Sequence, residues 1–153
     1  MDTIRYNVLL VDDDFVQVDL ARCAAEACPE INLTAVAGGD AALDWFDACI
    51  DKREQMPHII LLDLNLPKLD GLAVLRKLRS LPATVDIPIV VFSAEHIQAD
   101  VLMSYKAGAN SFVAKPADVA GYEEIFHERL AYWMNPEQRE QICEEKDGTD
   151  DQL

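Results

Sequence analysis

The chain has 153 residues, half of them apolar, and a formal net charge of −15. It is long enough to bury the core of one ordinary domain, but no apolar run approaches the roughly 20 residues that cross a bilayer. The opening Met1-Asp2-Thr3-Ile4-Arg5 also lacks the basic and apolar stretches of a secretory signal, so a cytoplasmic location is expected. So acidic a chain is expected to bind neither nucleic-acid phosphates nor anionic membranes, because both repel it.

Val8-Leu9-Leu10-Val11 reads as a buried strand that ends at Asp12. Phe15, Val18, Leu20, Ala21, Ala24 and Ala25 follow at helical spacing, predicting a helix from Phe15 to Cys28 with Pro29 as its stop. Leu33 to Ala37 is a weaker strand closed by Gly38-Gly39. Asp40 is placed to cap a helix running from Ala41 to about Arg53, with Leu43, Trp45, Phe46 and Ile50 on its buried stripe. The run from His58 to Asp63 is the clearest strand in the chain. A loop from Asn65 to Asp70 leads to a helix over Gly71 to Arg79, and Pro88 to Ser93 forms a fourth strand. A helix from Ala99 to Ala107 stops at Gly108, Ser111 to Ala114 is a short fifth strand, and a last helix runs from Asp118 to Met134.

Five strand–helix units in strict alternation, with strands apolar on both faces, predict an α/β fold: a parallel sheet covered by helices. Right-handed crossovers make that sheet doubly wound, with its ligand site beyond the carboxyl ends of the strands. Residues 1–135 are read as one domain. Residues 136–153 carry most of an acidic tail: from Asn135 onward there are seven acids and two bases, a net of −5. The tail is expected to be flexible or partly helical.

Cys23, Cys28, Cys49 and Cys143 form no CxxC pair, and the first three read as buried, reduced thiols beside apolar segments. His58, His96 and His127 show no metal-ligand spacing.

The strand ends carry the chemistry. The first strand ends in Asp12-Asp13, the third in Asp63, the fourth in Ser93 and the fifth in Lys115-Pro116. Three carboxylates gathered within a few ångströms repel unless a cation joins them. Oxygen ligands of this kind suit Mg²⁺, and a lysine with a hydroxyl suits phosphoryl oxygens. Taken singly, each piece has a plainer reading. Asp14 reads as a helix cap, Asp70-Gly71 as turn and helix-start chemistry, and His96 as a solvated loop residue. The order of the pieces along the strand ends is what favours an acyl-phosphate site.

Val11-Asp12-Asp13, Leu62 to Gly71, Phe92-Ser93-Ala94-Glu95 and Ala107 to Pro116 resemble the receiver domains of two-component response regulators over about residues 6 to 134. The resemblance implies a flavodoxin-like sheet in strand order 2-1-3-4-5 with five flanking helices. It implies Asp63 as phosphoacceptor, Asp12 and Asp13 as the metal-holding acidic pair, and Asn65 as the donor of a backbone carbonyl to Mg²⁺. Ser93 and Lys115 match the phosphoryl-binding residues, Ser93 and Phe112 the switch pair, and Asn65 and Glu95 the positions that set phosphate lifetime. Phe112 stands where many members have Tyr, so any hydrogen bond made by that hydroxyl is absent.

The same resemblance implies self-phosphorylation from a histidine kinase rather than turnover of a separate substrate. No output domain is recognised, so a protein target or histidine phosphotransfer protein is the expected partner. Ala109 to Phe112 and Tyr132 to Pro136 are similar to small regulators paired with bacterial phytochrome-type kinases. The surplus apolar residues of the last helix suggest a homodimer. Two rivals were weighed: a Mg²⁺-dependent haloacid-dehalogenase-type phosphatase, whose acceptor lies on its first strand, and a receiver-like interaction module that takes no phosphate.

Overall fold

The computed structural model describes residues 6–49, 51–52, 56–66, 70–93 and 98–129. Five parallel strands lie in the order β2-β1-β3-β4-β5: β1 (Tyr6–Val11), β2 (Ile31–Val36), β3 (Ile59–Asp63), β4 (Ile89–Ser93) and β5 (Ser111–Ala114). The helices α1 (Phe15–Glu26), α2 (Gly39–Cys49), α3 (Gly71–Ser80), α4 (Gln98–Lys106) and α5 (Val119–Glu124) alternate with them, and α5 continues into a π-helical turn, Ile125–Arg129.

The two-residue period of the strands sorts the core into two layers. Val8, Leu10, Ile59, Leu61, Val90, Phe92 and Val113 face one side, where Ala21 and Ala24 of α1 and Tyr122, Ile125 and Phe126 close over them. Leu9, Val11, Ile60, Leu62, Ile89, Val91 and Phe112 face the other, against Phe46 of α2 and Val74, Leu75 and Leu78 of α3. All residues of β3 and β4 are buried, as their unbroken apolar runs require. Strand order reverses between β1 and β3, which is where such sheets bind ligands.

Four expectations are corrected. Phe15 is 84% exposed, because the first residue of α1 projects beyond the sheet edge rather than onto it. Cys23 is exposed, two positions past the buried Ala21 and so turned off the core stripe, while Cys28 and Cys49 are buried, and all three thiols are free. The second helix begins at Gly39, with Gly38 O accepting from Ala42 N–H, so Asp40 sits inside its first turn rather than at its cap. The last helix changes to π-helical winding at Ile125. Ile50, Arg53, Glu95, His96, Cys143, residues 130–134 expected for the last helix and the acidic tail lie outside the described residues. Among the described residues, no helix is long and apolar enough to cross a membrane.

Candidate functional site: a carboxylate and lysine cluster at the strand ends

Asp12 follows the last residue of β1 and turns inward, where it is 1% exposed. Its Oδ1 accepts from Asp14 N–H at 3.0 Å, and Asp14 in turn caps α1 by accepting from Val16 N–H. The acidic triplet and the first turn of α1 are therefore one hydrogen-bonded piece. Asp13, next in the chain, is exposed.

Asp63 closes β3 at 2% exposure, and its Oδ1 accepts from Asn65 N–H at 3.0 Å. The start of α3 lies directly against this turn. Asp70 caps the helix through Ala73 N–H, and a Cβ on Gly71 would stand 2.5 Å from Asp63 O. Only glycine permits that approach, so the Asp70-Gly71 pair is start-of-helix chemistry, as its sequence suggested. Ser93 ends β4 and is buried.

Lys115, one residue past β5, reaches back across the site. Its Nζ stands 3.0 Å from Asp12 Oδ2 and 3.1 Å from Asp63 Oδ2. Both contacts are charge-assisted, so the two buried carboxylates share one ammonium. Burial pushes the Asp12 carboxyl above its usual 3.8. The nearby Asp63 adds to this, while Asp14 N–H and Lys115 oppose it. For Lys115, burial acts to lower the ammonium's pKa, but Asp12 and Asp63 together outweigh it and leave the pKa above 10.5.

One oxygen each of Asp12, Asp13 and Asp63 lie within 4.8 Å of one another. Three carboxylates gathered this closely are a donor set of hard oxygens suited to a divalent cation. Ser93 and Lys115 stand at the same end of the sheet. Phe112 is buried in the layer facing α2 and α3.

Two groups beneath the site went unread in the sequence. Tyr122 is wholly buried and donates its hydroxyl to Gln17 Oε1 at 2.5 Å. Burial, and after it the charges of Asp12, Asp63 and Asp14, push the phenol far above its usual value. In the sequence Tyr122 passes for one more apolar residue of the last helix. Its signal is a hydroxyl one turn into the helix that follows Lys115-Pro116.

Fold and site together define a class: a flavodoxin-like α/β domain with a hard-cation site at the point where its strand order reverses. Residues 8–126 match the family model of the response regulator receiver domain. The chain belongs to that family, and the phosphatase rival falls with the assignment. The chain is 35% identical over 116 residues to the DNA-binding response regulator MtrA of Mycobacterium tuberculosis, covering 76% of this chain and 46% of MtrA. It thus spans about half the length of the curated relatives it matches. Rcp1 of Synechocystis is 35% identical over 78 residues, 51% of this chain and 53% of Rcp1. The structure of Rcp1 with bound Mn²⁺ superposes with a TM-score of 0.71 at 27% identity, covering 86% of this chain and 96% of that one. The phosphorylated cyanobacterial phytochrome response regulator RcpA gives 0.72 at 29% identity, covering 86% and 95%.

Proposed function

We propose that this chain is a response-regulator receiver that takes a phosphoryl group from a sensor histidine kinase onto Asp63. The observation that carries the reading is the Lys115 ammonium held between Asp12 and Asp63, at 3.0 and 3.1 Å, inside a cluster completed by Asp13. A carboxylate oxygen of Asp63 attacks phosphorus in line, the P–N bond of the donor's phosphohistidine breaks, and the imidazole leaves with that electron pair.

Asp12, Asp13, Asp63 and the Asn65 backbone carbonyl would hold Mg²⁺, which when bound would supply positive charge against the phosphoryl oxygens. Lys115 exchanges its carboxylate contact for a phosphoryl oxygen, and the Ser93 hydroxyl binds another. Drawing Ser93 toward the phosphoryl group biases the position of Phe112, which lies on the neighbouring strand two residues before Ser93's partner Ala114, and this makes the pair the switch. Asn65 and Glu95 tune how long the acyl phosphate lasts. The chain's chemistry ends with its own phosphorylation and dephosphorylation.

Phe15 and Val16, 84% and 64% exposed beside the acidic pair, offer apolar contact to the docking donor. The likeness to RcpA supports a phytochrome-type kinase as that donor. The net charge of −15 supports a regulator that binds neither nucleic acid nor anionic membrane, and we propose that it works in the cytoplasm. Output then passes through a protein target or histidine phosphotransfer protein, or through a homodimer built on the last helix. Residues 1–135 form the working domain and 136–153 an acidic appendage. Incubation with acetyl phosphate and Mg²⁺ tests the reading: wild type takes one phosphoryl group and Asp63→Asn takes none. Equal labelling of the two removes Asp63 from the role.

A further inference from the structure

The site draws on two segments far apart in the chain, which are joined through the sheet and by the packing of α1 against α5. One is the acidic pair fused to α1 by the Asp14 cap, in which Asp14 N–H also donates to Asp12. The other is Lys115 and the start of α5. Asp118 caps α5 by accepting from Gly121 N–H at 2.8 Å. A Cβ on Gly121 would come 2.7 Å from Pro116 Cβ, so the first turn of α5 is pressed onto the Lys115-Pro116 segment. The distance between α1 and α5 therefore contributes, beside the sheet, to how Lys115 stands against Asp12 and Asp13.

The hydrogen bond from Tyr122 to Gln17 crosses that gap, five residues into the segment after Asp12 on one side and seven after Lys115 on the other. The ring of Tyr122 has its own reason to be there. It meets Phe92 edge-on at 6.1 Å and Phe126 at 6.2 Å, and phenylalanine would pack in the same place. The hydroxyl adds nothing to that packing and is costly to bury unless bonded. Gln17 satisfies it with a short bond whose geometry admits little play.

We propose that the Tyr122–Gln17 hydrogen bond is a strut that fixes the spacing of the two half-sites, which makes Tyr122 a positioning residue for the divalent cation and the incoming phosphoryl group. The inference rests on the proposed function for its phosphoryl part and on the carboxylate cluster alone for its metal part. That Asp12, Asp63 and Asp14 all act electrostatically on the buried phenol agrees with a strut lying close beneath the site.

Tyr122→Phe, Gln17→Met and the double variant test it. The Mg²⁺ dissociation constant is read from the amide NMR shifts of Asp13 and Asn65 with no phosphodonor present, and the rate of labelling by acetyl phosphate and the urea midpoint are measured beside it. Each single variant is expected to weaken Mg²⁺ binding about 3- to 10-fold, the factor corresponding to loss of one intramolecular hydrogen bond, and to slow labelling in step. The double variant is expected to be no weaker than the worse single, because both remove the same bond. Mg²⁺ affinity within about twofold of wild type in both singles, whatever the urea midpoint does, would overturn the strut, as would effects that add in the double. Gln17 is partly exposed, so its variant answers the question even if Tyr122→Phe folds poorly. A wild-type chain that binds Mg²⁺ but takes no label counts against the proposed function and leaves the strut standing.

Discussion

Replacing Lys115 by methionine keeps most of the apolar stem of the side chain and removes its charge, which tests the electrostatics of the site. Two ion pairs are lost, at 3.0 and 3.1 Å, to carboxylates that are almost wholly buried. At an effective dielectric of about 20, each contact at that range is worth about 5 kcal/mol before desolvation is counted. Removing one partner of a buried pair costs about 3–5 kcal/mol after it is counted. That loss is a large part of the roughly 5–15 kcal/mol that holds a domain of ordinary stability together.

The sign of the pH dependence follows from Asp12. Its folded-state pKa lies above 3.8, so ionising it costs folding free energy, and stability falls as pH rises through the folded value. Without Lys115 that pKa climbs further. The deficit of Lys115→Met is therefore smallest in acid, where Asp12 is protonated in both states, and complete near neutrality. Wild-type Lys115 shows the opposite limit: its raised pKa makes its contribution present below 10.5 and lost as pH rises through the folded value. A divalent cation takes over part of the missing charge, so millimolar Mg²⁺ is expected to restore more stability to the variant than it adds to wild type. Urea unfolding at acidic and neutral pH, with and without Mg²⁺, measures all of this. A variant as stable as wild type at neutral pH without metal, or a deficit independent of pH, refutes the reasoning.

Gly71→Ala forces a Cβ to 2.5 Å from Asp63 O and 2.6 Å from Leu64 Cα, both backbone atoms that cannot step aside cheaply. A loss of about 2–3 kcal/mol in urea unfolding is expected, together with slower acetyl phosphate labelling as the Asp63 turn shifts. Wild-type stability would mean that α3 is free to move away from β3. Arg79→Met strips donors from Gly108 O, Val85 O, Ile87 O and Asn110 Oδ1. It is expected to cost about 2–4 kcal/mol while leaving Mg²⁺ affinity unchanged, because the network joins the amino ends of β4 and β5. Altered Mg²⁺ affinity measured by calorimetry would contradict that separation.

The parts legible in the sequence were those governed by short-range pattern. Unbroken apolar runs such as Ile59 to Leu62 and Ile89 to Phe92 have one stable use, in a sheet covered on both faces, and β5 falls on the four residues read for it. Asp12, Asp63, Ser93 and Lys115 were legible because each ends or follows a strand, and a parallel sheet brings all such ends together. Periodicity failed where position along a helix outweighs phase. Phe15 has the phase of a buried residue but stands at the helix start, past the sheet it would cover. The Arg79 network and the Tyr122–Gln17 bond were illegible for another reason. Each joins groups 31 and 105 residues apart, through polar atoms that no local pattern announces.

The central claim is that one buried carboxylate, among the three gathered around a lysine, carries the phosphoryl group. Borohydride reduction of the acetyl phosphate-treated chain, followed by peptide mapping, reads the position directly, since an aspartyl phosphate is reduced to homoserine. The expected result is homoserine at residue 63, formed only when Mg²⁺ is present. Homoserine at 12 or 13, or none at 63 in a chain that binds Mg²⁺ normally, would contradict it.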